Sequence, residues 1–455
     1  MVSFDSAFKE SLGYFNDDSL AANVFVSKYA LIDKDGNLHE STPDDMHRRL
    51  AKEFARIESN YPNPLTYEEI YSLFKDFKYV VPQGSPMSGV GNPYQVQSIS
   101  NCFVIEAPHD SYGGILKTDQ ELVQIAKRRG GVGFDISTIR PKGRSTGNCA
   151  RTTDGIEVFM DRFSNSCREV AQNGRRGALM LTISVHHPQV LDFIKIKKDL
   201  NRVTGANISV RLTDEFLDAV RSKSEYELRW PVDSQDPDVS YHTDAVKIWN
   251  EIIEAAHACA EPGLLFWDTA TSMSPADIYT PEGFGSQSTN PCGEIILSPY
   301  DSCRLMVVNL YSFVANRFTP EATFDWPLFA DVVQKAQRLM DDMVDLEIEQ
   351  VDKILAKINA DPEPDDVKAI ERNLWLKIKE RALQGRRTGL GVTAVGDTLA
   401  ALGITYGSEK STEVVEEIYK ALAVNAYRSS CVMAQERGAF PIHDHDREMN
   451  HAFLT

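Results

Sequence analysis

Apolar positions recur at three-to-four spacing through the first 80 or so residues, the period of helices with one buried face. One stripe runs Leu20, Ala21, Ala22, Val24 and Phe25 behind a cap expected at Ser19, and a second runs Met46, Leu50, Phe54 and Ile57. Asp33 to Gly36 reads as a turn between them. From about Tyr79 to Arg211 the pattern changes to short β-type runs, at 101–105, 132–136, 179–185 and 208–212, separated by amphipathic helical stretches. Strands alternating with helices predict a parallel α/β sheet or barrel. A helix running into a strand is expected between Trp249 and Trp267, and the apolar run 305–310 follows a loop rich in Gly, Ser, Pro and Asn that starts at Phe284. The last third predicts helices near 325–355, 363–384, 392–402 and 410–437, with a turn and helix start over 361–366. The expected division is a helical region over 1–80 and an α/β domain over 81–455.

Composition narrows the class. Of 455 residues 42% are hydrophobic and 25% charged, the proportions of a globular protein, and disordered, collagen-like and membrane classes are excluded. Acidic residues outnumber basic ones 66 to 48, which disfavours broad nucleic-acid or anionic-membrane binding. The N-terminus has no continuous apolar stretch and no window approaches 18 uninterrupted apolar residues, so a cytoplasmic protein is expected. The seven cysteines show neither a disulfide framework nor zinc-type spacing, which fits a reducing compartment.

Several motifs bear on chemistry. Gly130-Gly-Val-Gly133 and Gly389-Leu-Gly391 do not spell a dinucleotide fingerprint and read better as close backbone approaches. Arginines beside glycines, at 127–131, 142–145 and 173–177, suggest a site for a phosphate-bearing small molecule, with solvated loop charges as the alternative. His186-His187 and the His443-to-His451 run lack the spacing of a metal site, so no metal is expected. Asn290-Pro-Cys-Gly-Glu294 differs in kind. An amide, a thiol and a carboxylate at alternate positions would point the same way if the chain were extended, a set suited to a diol: the carboxylate takes a hydroxyl proton, the amide holds an oxygen, the sulfur exchanges a hydrogen atom. Cys102 and Cys303 are two further thiols that can deliver an electron pair by closing a disulfide. Spacing alone leaves open that all three are buried structural cysteines.

At these residues the sequence resembles the catalytic subunit of ribonucleotide reductases, most closely the adenosylcobalamin-dependent class II enzymes. The likeness runs nearly the whole chain, through 19–31, 86–90, 100–104, 129–136, 139–143, 173–178, 261–266, 290–294, 302–303 and 385–391, in order. The short interval from Cys292 to Cys303 and the Pro-Cys-Gly-Glu wording resemble class II rather than class I.

The resemblance implies a ten-stranded α/β barrel with a finger loop, near 284–304, inside it. Cys292 would become the thiyl radical that removes the ribose 3′ hydrogen, Glu294 would act as base on the 3′-hydroxyl, and Asn290 would hydrogen-bond the substrate. Cys102 and Cys303 would be the reducing pair. Ser85, Asn101 and Gly131 match substrate-lining positions. Asp110, Ser111 and Arg140 match positions contacting a dNTP or ATP effector, and the loop from Gln172 to Ala178, with Arg176 as base-sensing residue, matches the link from effector to substrate. A homodimer is a further implication; a thioredoxin-type reductant suits the dithiol pair, and ribonucleoside diphosphates are expected as substrates, with triphosphates as the alternative. The chain starts directly in the helical region, without the ATP-binding domain that precedes it in some relatives, and stops before the family's phosphate-binding turn and last barrel strands. The barrel is therefore expected to be incomplete, its missing half coming from a second polypeptide. Two rivals stand beside this reading: a class I type subunit served by a ferritin-like radical generator, and a non-catalytic nucleotide-binding subunit.

Overall fold

A computed structural model of the chain describes residues 2–172 and 175–454, and of residues 171, 172, 175 and 176 the backbone only. The chain forms two compact units: one of residues 1–101, 303–357 and 382–443, the other of 102–302, 358–381 and 444–455.

The first unit is largely helical, built on Phe4–Tyr14, Ser19–Lys28, Pro43–Glu58, Tyr67–Phe74, the greater part of Trp326–Ala360, and Glu409–Arg437. The cap of the second helix is Asp18, whose side chain accepts the Ala21 N–H, rather than the Ser19 that the stripe suggested. A carboxylate one residue earlier reaches the same free N–H group and suits the positive end of the helix better. The Met46, Leu50, Phe54 and Ile57 stripe is fully buried, each side chain contributing about 2 kcal/mol. A small sheet completes this unit: Val80–Pro82 runs antiparallel to Leu305–Asn309, which pairs in parallel with Gly389–Thr393.

The second unit holds five parallel strands in the order Gly263–Phe266, Asn207–Leu212, Leu179–Ser184, Gly131–Asp135 and Cys102–Val104. This is the α/β class expected of a reductase-type barrel, with one five-stranded half present; the described residues do not supply all ten strands. Helices Tyr112–Ala126, Ile156–Glu169 and Ala245–Cys259 connect the strands. The antiparallel hairpin of Glu225–Trp230 and Val239–Asp244 was not legible as one, because its outer strand is polar and exposed.

Register explains what this sheet is for. Cys102 lies beside Gly131, Gly133 beside Met180, Asp135 beside Thr182, Met180 beside Asn207, and Ser184 beside Arg211. Parallel neighbours in register point to the same face. One face is therefore mostly small or polar, with Cys102, Gly131, Gly133, Asp135, Thr182, Ser184, Asn207, Ser209 and Arg211 beside the apolar Val104 and Met180. The other carries Phe103, Val132, Phe134, Leu181, Ile183, Ile208 and Val210, all buried. The apolar face is the core, and the polar face is where a loop can lie.

No helix among the described residues is long and apolar enough to cross a membrane.

Candidate active site

The loop that lies there is the glycine- and serine-rich segment from Phe284. Two antiparallel rungs, Ser288 with Leu297 and Thr289 with Ile296, make it a finger. Beyond them the Asn290 N–H donates to the Ile295 carbonyl at 3.3 Å and the Gly293 N–H to the Asn290 carbonyl at 3.0 Å. Gly293 takes φ +82°, which a side chain resists. The segment from Asn290 to Glu294 is thus a tight turn and not the extended run that would aim three side chains together. Asn290 is buried, whereas Cys292 and Glu294 are exposed.

The Asn290 side chain is held from several directions. Its Oδ1 accepts the Ile295 N–H at 3.2 Å and the Thr289 hydroxyl at 3.1 Å, and its Nδ2 points to the Cys102 sulfur at 3.5 Å. The amide of the motif and one of the two further thiols are therefore in contact. The Cys292 thiol is pushed up from its ordinary pKa, first by desolvation of the sulfur and second by the Glu294 carboxylate. At neutral pH it keeps its hydrogen.

Two glycines make room for the finger. A Cβ on Gly133 would meet the Thr289 carbonyl oxygen at 1.8 Å, and one on Gly131 would meet Pro291 Cγ at 2.9 Å. Three polar side chains of the same face bond to the loop. Asn207 Nδ2 donates to the Pro291 carbonyl at 2.7 Å and Arg211 Nη1 to the Gln287 carbonyl at 3.1 Å. Thr182 donates to Asp135 Oδ2 at 3.0 Å, so it is the Ser288 hydroxyl that donates to Thr182 Oγ1, also at 3.0 Å. Arg211 Nε closes the set at 3.0 Å from Asp135. Each such bond contributes about 1 kcal/mol net. None of Asp135, Thr182, Asn207 and Arg211 stood out in the sequence, yet period-2 alternation in Gly131-Val-Gly-Phe-Asp135 and Asn207-Ile-Ser-Val-Arg211 carries the signal.

The remaining candidates fall in separate groups. In the first unit Cys303 is buried, its carbonyl accepting the Asn101 N–H at 2.9 Å. Asn101 is further held by the Leu305 N–H on its Oδ1 and by donating to the Gln83 carbonyl, and Ser85 is buried at the start of the short helix Ser85–Gly89. In the second unit Asp110, Ser111 and Arg140 come together: Arg140 Nε donates to Asp110 Oδ2 at 2.7 Å, its N–H to Oδ1 at 3.1 Å, and Ser111 caps Tyr112–Ala126 through the Gly114 N–H. The side chains of Gln172 and Arg176 lie outside the described residues; the backbones of Ala171–Gln172 and Arg175–Arg176 form a two-rung antiparallel ladder. His187 is buried, its Nε2 donating to the Ile139 carbonyl while Nδ1 accepts the Gln189 N–H, and burial pushes its pKa down to about 4.

The polar face of a parallel α/β sheet thus seats a finger loop with a cysteine at its tip. Residues 100–453 match the family described as "Ribonucleotide reductase, barrel domain". The chain belongs to the ribonucleotide reductase family. It is 29% identical over 429 residues to a vitamin B12-dependent ribonucleoside-diphosphate reductase of Mycobacterium tuberculosis, covering 93% of this chain and 56% of the relative. Identity to a protein of the same name from Thermoplasma acidophilum is 28% over 497 residues, covering 95% and 59%. A ribonucleoside-diphosphate reductase large subunit of Monkeypox virus is 24% identical over 368 residues, covering 75% and 44%. The chain thus spans little more than half the length of these two B12-dependent relatives.

Proposed function

We propose that the assembled protein reduces ribonucleoside diphosphates to 2′-deoxyribonucleotides, with Cys292 as the thiol that exchanges a hydrogen atom with the ribose. The observation that carries this reading is the exposed Cys292 at the tip of a finger seated on the sheet, its thiol held protonated beside Glu294. Cys292 as a thiyl takes the 3′ hydrogen, and Glu294 takes the 3′-hydroxyl proton. The 2′-hydroxyl leaves as water. The two electrons and two hydrogens come from the dithiol assigned to Cys102 and Cys303, which ends as a disulfide, and Cys292 returns its hydrogen to C3′. Asn290 orients the hydroxyls, and Ser85, Asn101 and Gly131 border the substrate. A thioredoxin-type dithiol in a reducing cytoplasm restores the pair.

Adenosylcobalamin, the cofactor of the B12-dependent relatives, supplies when bound the one-electron chemistry that removes the Cys292 hydrogen. The exposed thiol fits a generator that approaches from outside the finger. Asp110, Ser111, Arg140, Gln172 and Arg176 form the effector site, in a homodimer. The strand Gly389–Thr393 pairs on one edge only among the described residues, and an unpaired parallel edge fits further barrel strands added there.

The test is anaerobic turnover of a ribonucleoside diphosphate with adenosylcobalamin and dithiothreitol, with and without the polypeptide that supplies those strands. Deoxynucleotide from the assembled enzyme, abolished by Cys292→Ser, is the expected result. Turnover that needs a ferritin-like partner and no adenosylcobalamin would transfer the chain to the class I reading, and a Cys292→Ser enzyme with full activity would sink the assignment of Cys292.

A further inference from the structure

The finger is a two-rung ribbon, and two rungs hold a turn weakly. What fixes its tip must come from the sheet beneath. Three side chains of the polar face meet the loop at successive heights: Arg211 at the Gln287 carbonyl, Thr182 at the Ser288 hydroxyl and Asn207 at the Pro291 carbonyl. Arg211 and Thr182 are tied to each other through buried Asp135, so the two lower anchors form one rigid group. Asn207 stands apart. It opens its strand, is exposed, and donates to the carbonyl of the peptide unit whose nitrogen belongs to Cys292. The nitrogen of that peptide is bonded to the Cα that carries the Cys292 thiol, so rotation of the peptide would re-aim the side chain.

We propose that Asn207 is a positioning residue for Cys292, holding the Pro291–Cys292 peptide in one orientation while Thr182 and Arg211 hold the base of the finger. The inference rests on the reading of Cys292 as the reactive thiol, and it assigns to a residue outside the Asn-Pro-Cys-Gly-Glu motif the task of aiming that motif. The hydrogen bond is between neutral groups and leaves the chemistry of the thiol itself untouched. Its effect is on where the sulfur sits and how far it is desolvated.

The experiment follows iodoacetamide alkylation of Cys292 against pH in the full chain, read peptide by peptide by mass spectrometry, with exposed Cys149 and Cys431 as internal references. Asn207→Leu keeps the bulk and removes the donor, and Asn207→Ala removes both. With the peptide released, the sulfur gains water and its thiolate forms at lower pH, so Cys292 labelling at pH 8 is expected to rise about three-fold or more while both references stay unchanged. Thr182→Val, which deletes only a hydroxyl, is expected to change Cys292 less than Asn207→Leu. Profiles of both Asn207 variants that overlay the parent would overturn the proposal, as would a larger effect from Thr182→Val. In the assembled reductase the same variants are expected to lower kcat with KM unchanged; equal changes in both would also overturn it. The labelling needs no turnover, so a failure of the reductase reading would show in the Cys292→Ser assay and leave the Asn207 result to be judged by itself.

Discussion

A methyl group at position 133 would sit 1.8 Å from the Thr289 carbonyl oxygen, and backbone cannot yield as the end of a long side chain does. Gly133→Ala is therefore expected to lift the finger from the sheet and to cost roughly 1–3 kcal/mol in urea unfolding, with the flanking Val132 and Phe134 packing intact. Cys292 offers a gentler probe. Its thiol is raised by desolvation and by the negative charge of Glu294, so Glu294→Gln removes the repulsion and lets the thiolate form at lower pH. Alkylation of Cys292 at pH 8 should then be faster, whereas buried Cys167, pushed up to about 11 by burial, should stay unreactive in both proteins. A slower Cys292 in the Gln variant would show that Glu294 does not act on the sulfur by charge. Asn290, Cys292 and Glu294 were legible as a set because their types are unusual together. That one is buried and two are exposed was not, because it follows from the turn at Gly293.

Among elements, the helices Pro43–Glu58, Trp326–Ala360 and Glu409–Arg437 are joined by charges as well as by apolar stripes. Fully buried Glu58 accepts from Arg338 at 2.7 Å and also from Arg437, which reaches Asp341 at 2.7 Å and Asp342 at 2.8 Å. Burial pushes Asp341 up, but the Arg386 and Arg437 guanidiniums outweigh it and hold the carboxyl below its usual range. Asp342 goes the other way: burial, with Glu58 nearby, outweighs Arg437 and lifts it well above the ordinary value. A group depressed in the fold stabilises it above its unfolded pKa and loses that as pH falls; one that is raised stabilises it below its unfolded pKa and loses that as pH rises through the folded value. Asp342→Asn removes the second titration and keeps an acceptor for Arg437. Its Tm relative to the parent should accordingly climb between pH 5 and pH 8, and a difference that is flat or falls with pH would refute the assignment. The helices themselves were legible from periodicity. Their mutual charges were not, since Glu58 and Arg437 are separated by nearly the whole chain.

For the whole molecule the edge of Gly389–Thr393, open among the described residues, is the feature with most consequence. An unpaired parallel strand exposes a row of N–H and C=O groups and pairs with whatever matches it. Slowed hydrogen exchange across residues 389–393 is expected once a polypeptide carrying the further strands is added, with no change across the interior strand 179–184. Protection confined to other segments would show that the strands attach elsewhere.

Local pattern was enough to settle much of this protein. Three-to-four spacing foretold the helices, short apolar runs foretold the parallel strands, and the Asn-Pro-Cys-Gly-Glu motif singled out one loop, because each of these depends on residues near in sequence or on rare residue types. Packing of distant segments decided the rest. Gly131 and Gly133 acquire their meaning from a loop more than 150 residues later, Asn207 from a carbonyl at Pro291, and Asp342 from a partner on another helix. Contacts of that kind depend on strand register and on which face meets which, and no stretch of chain contains that information until the whole sheet has formed.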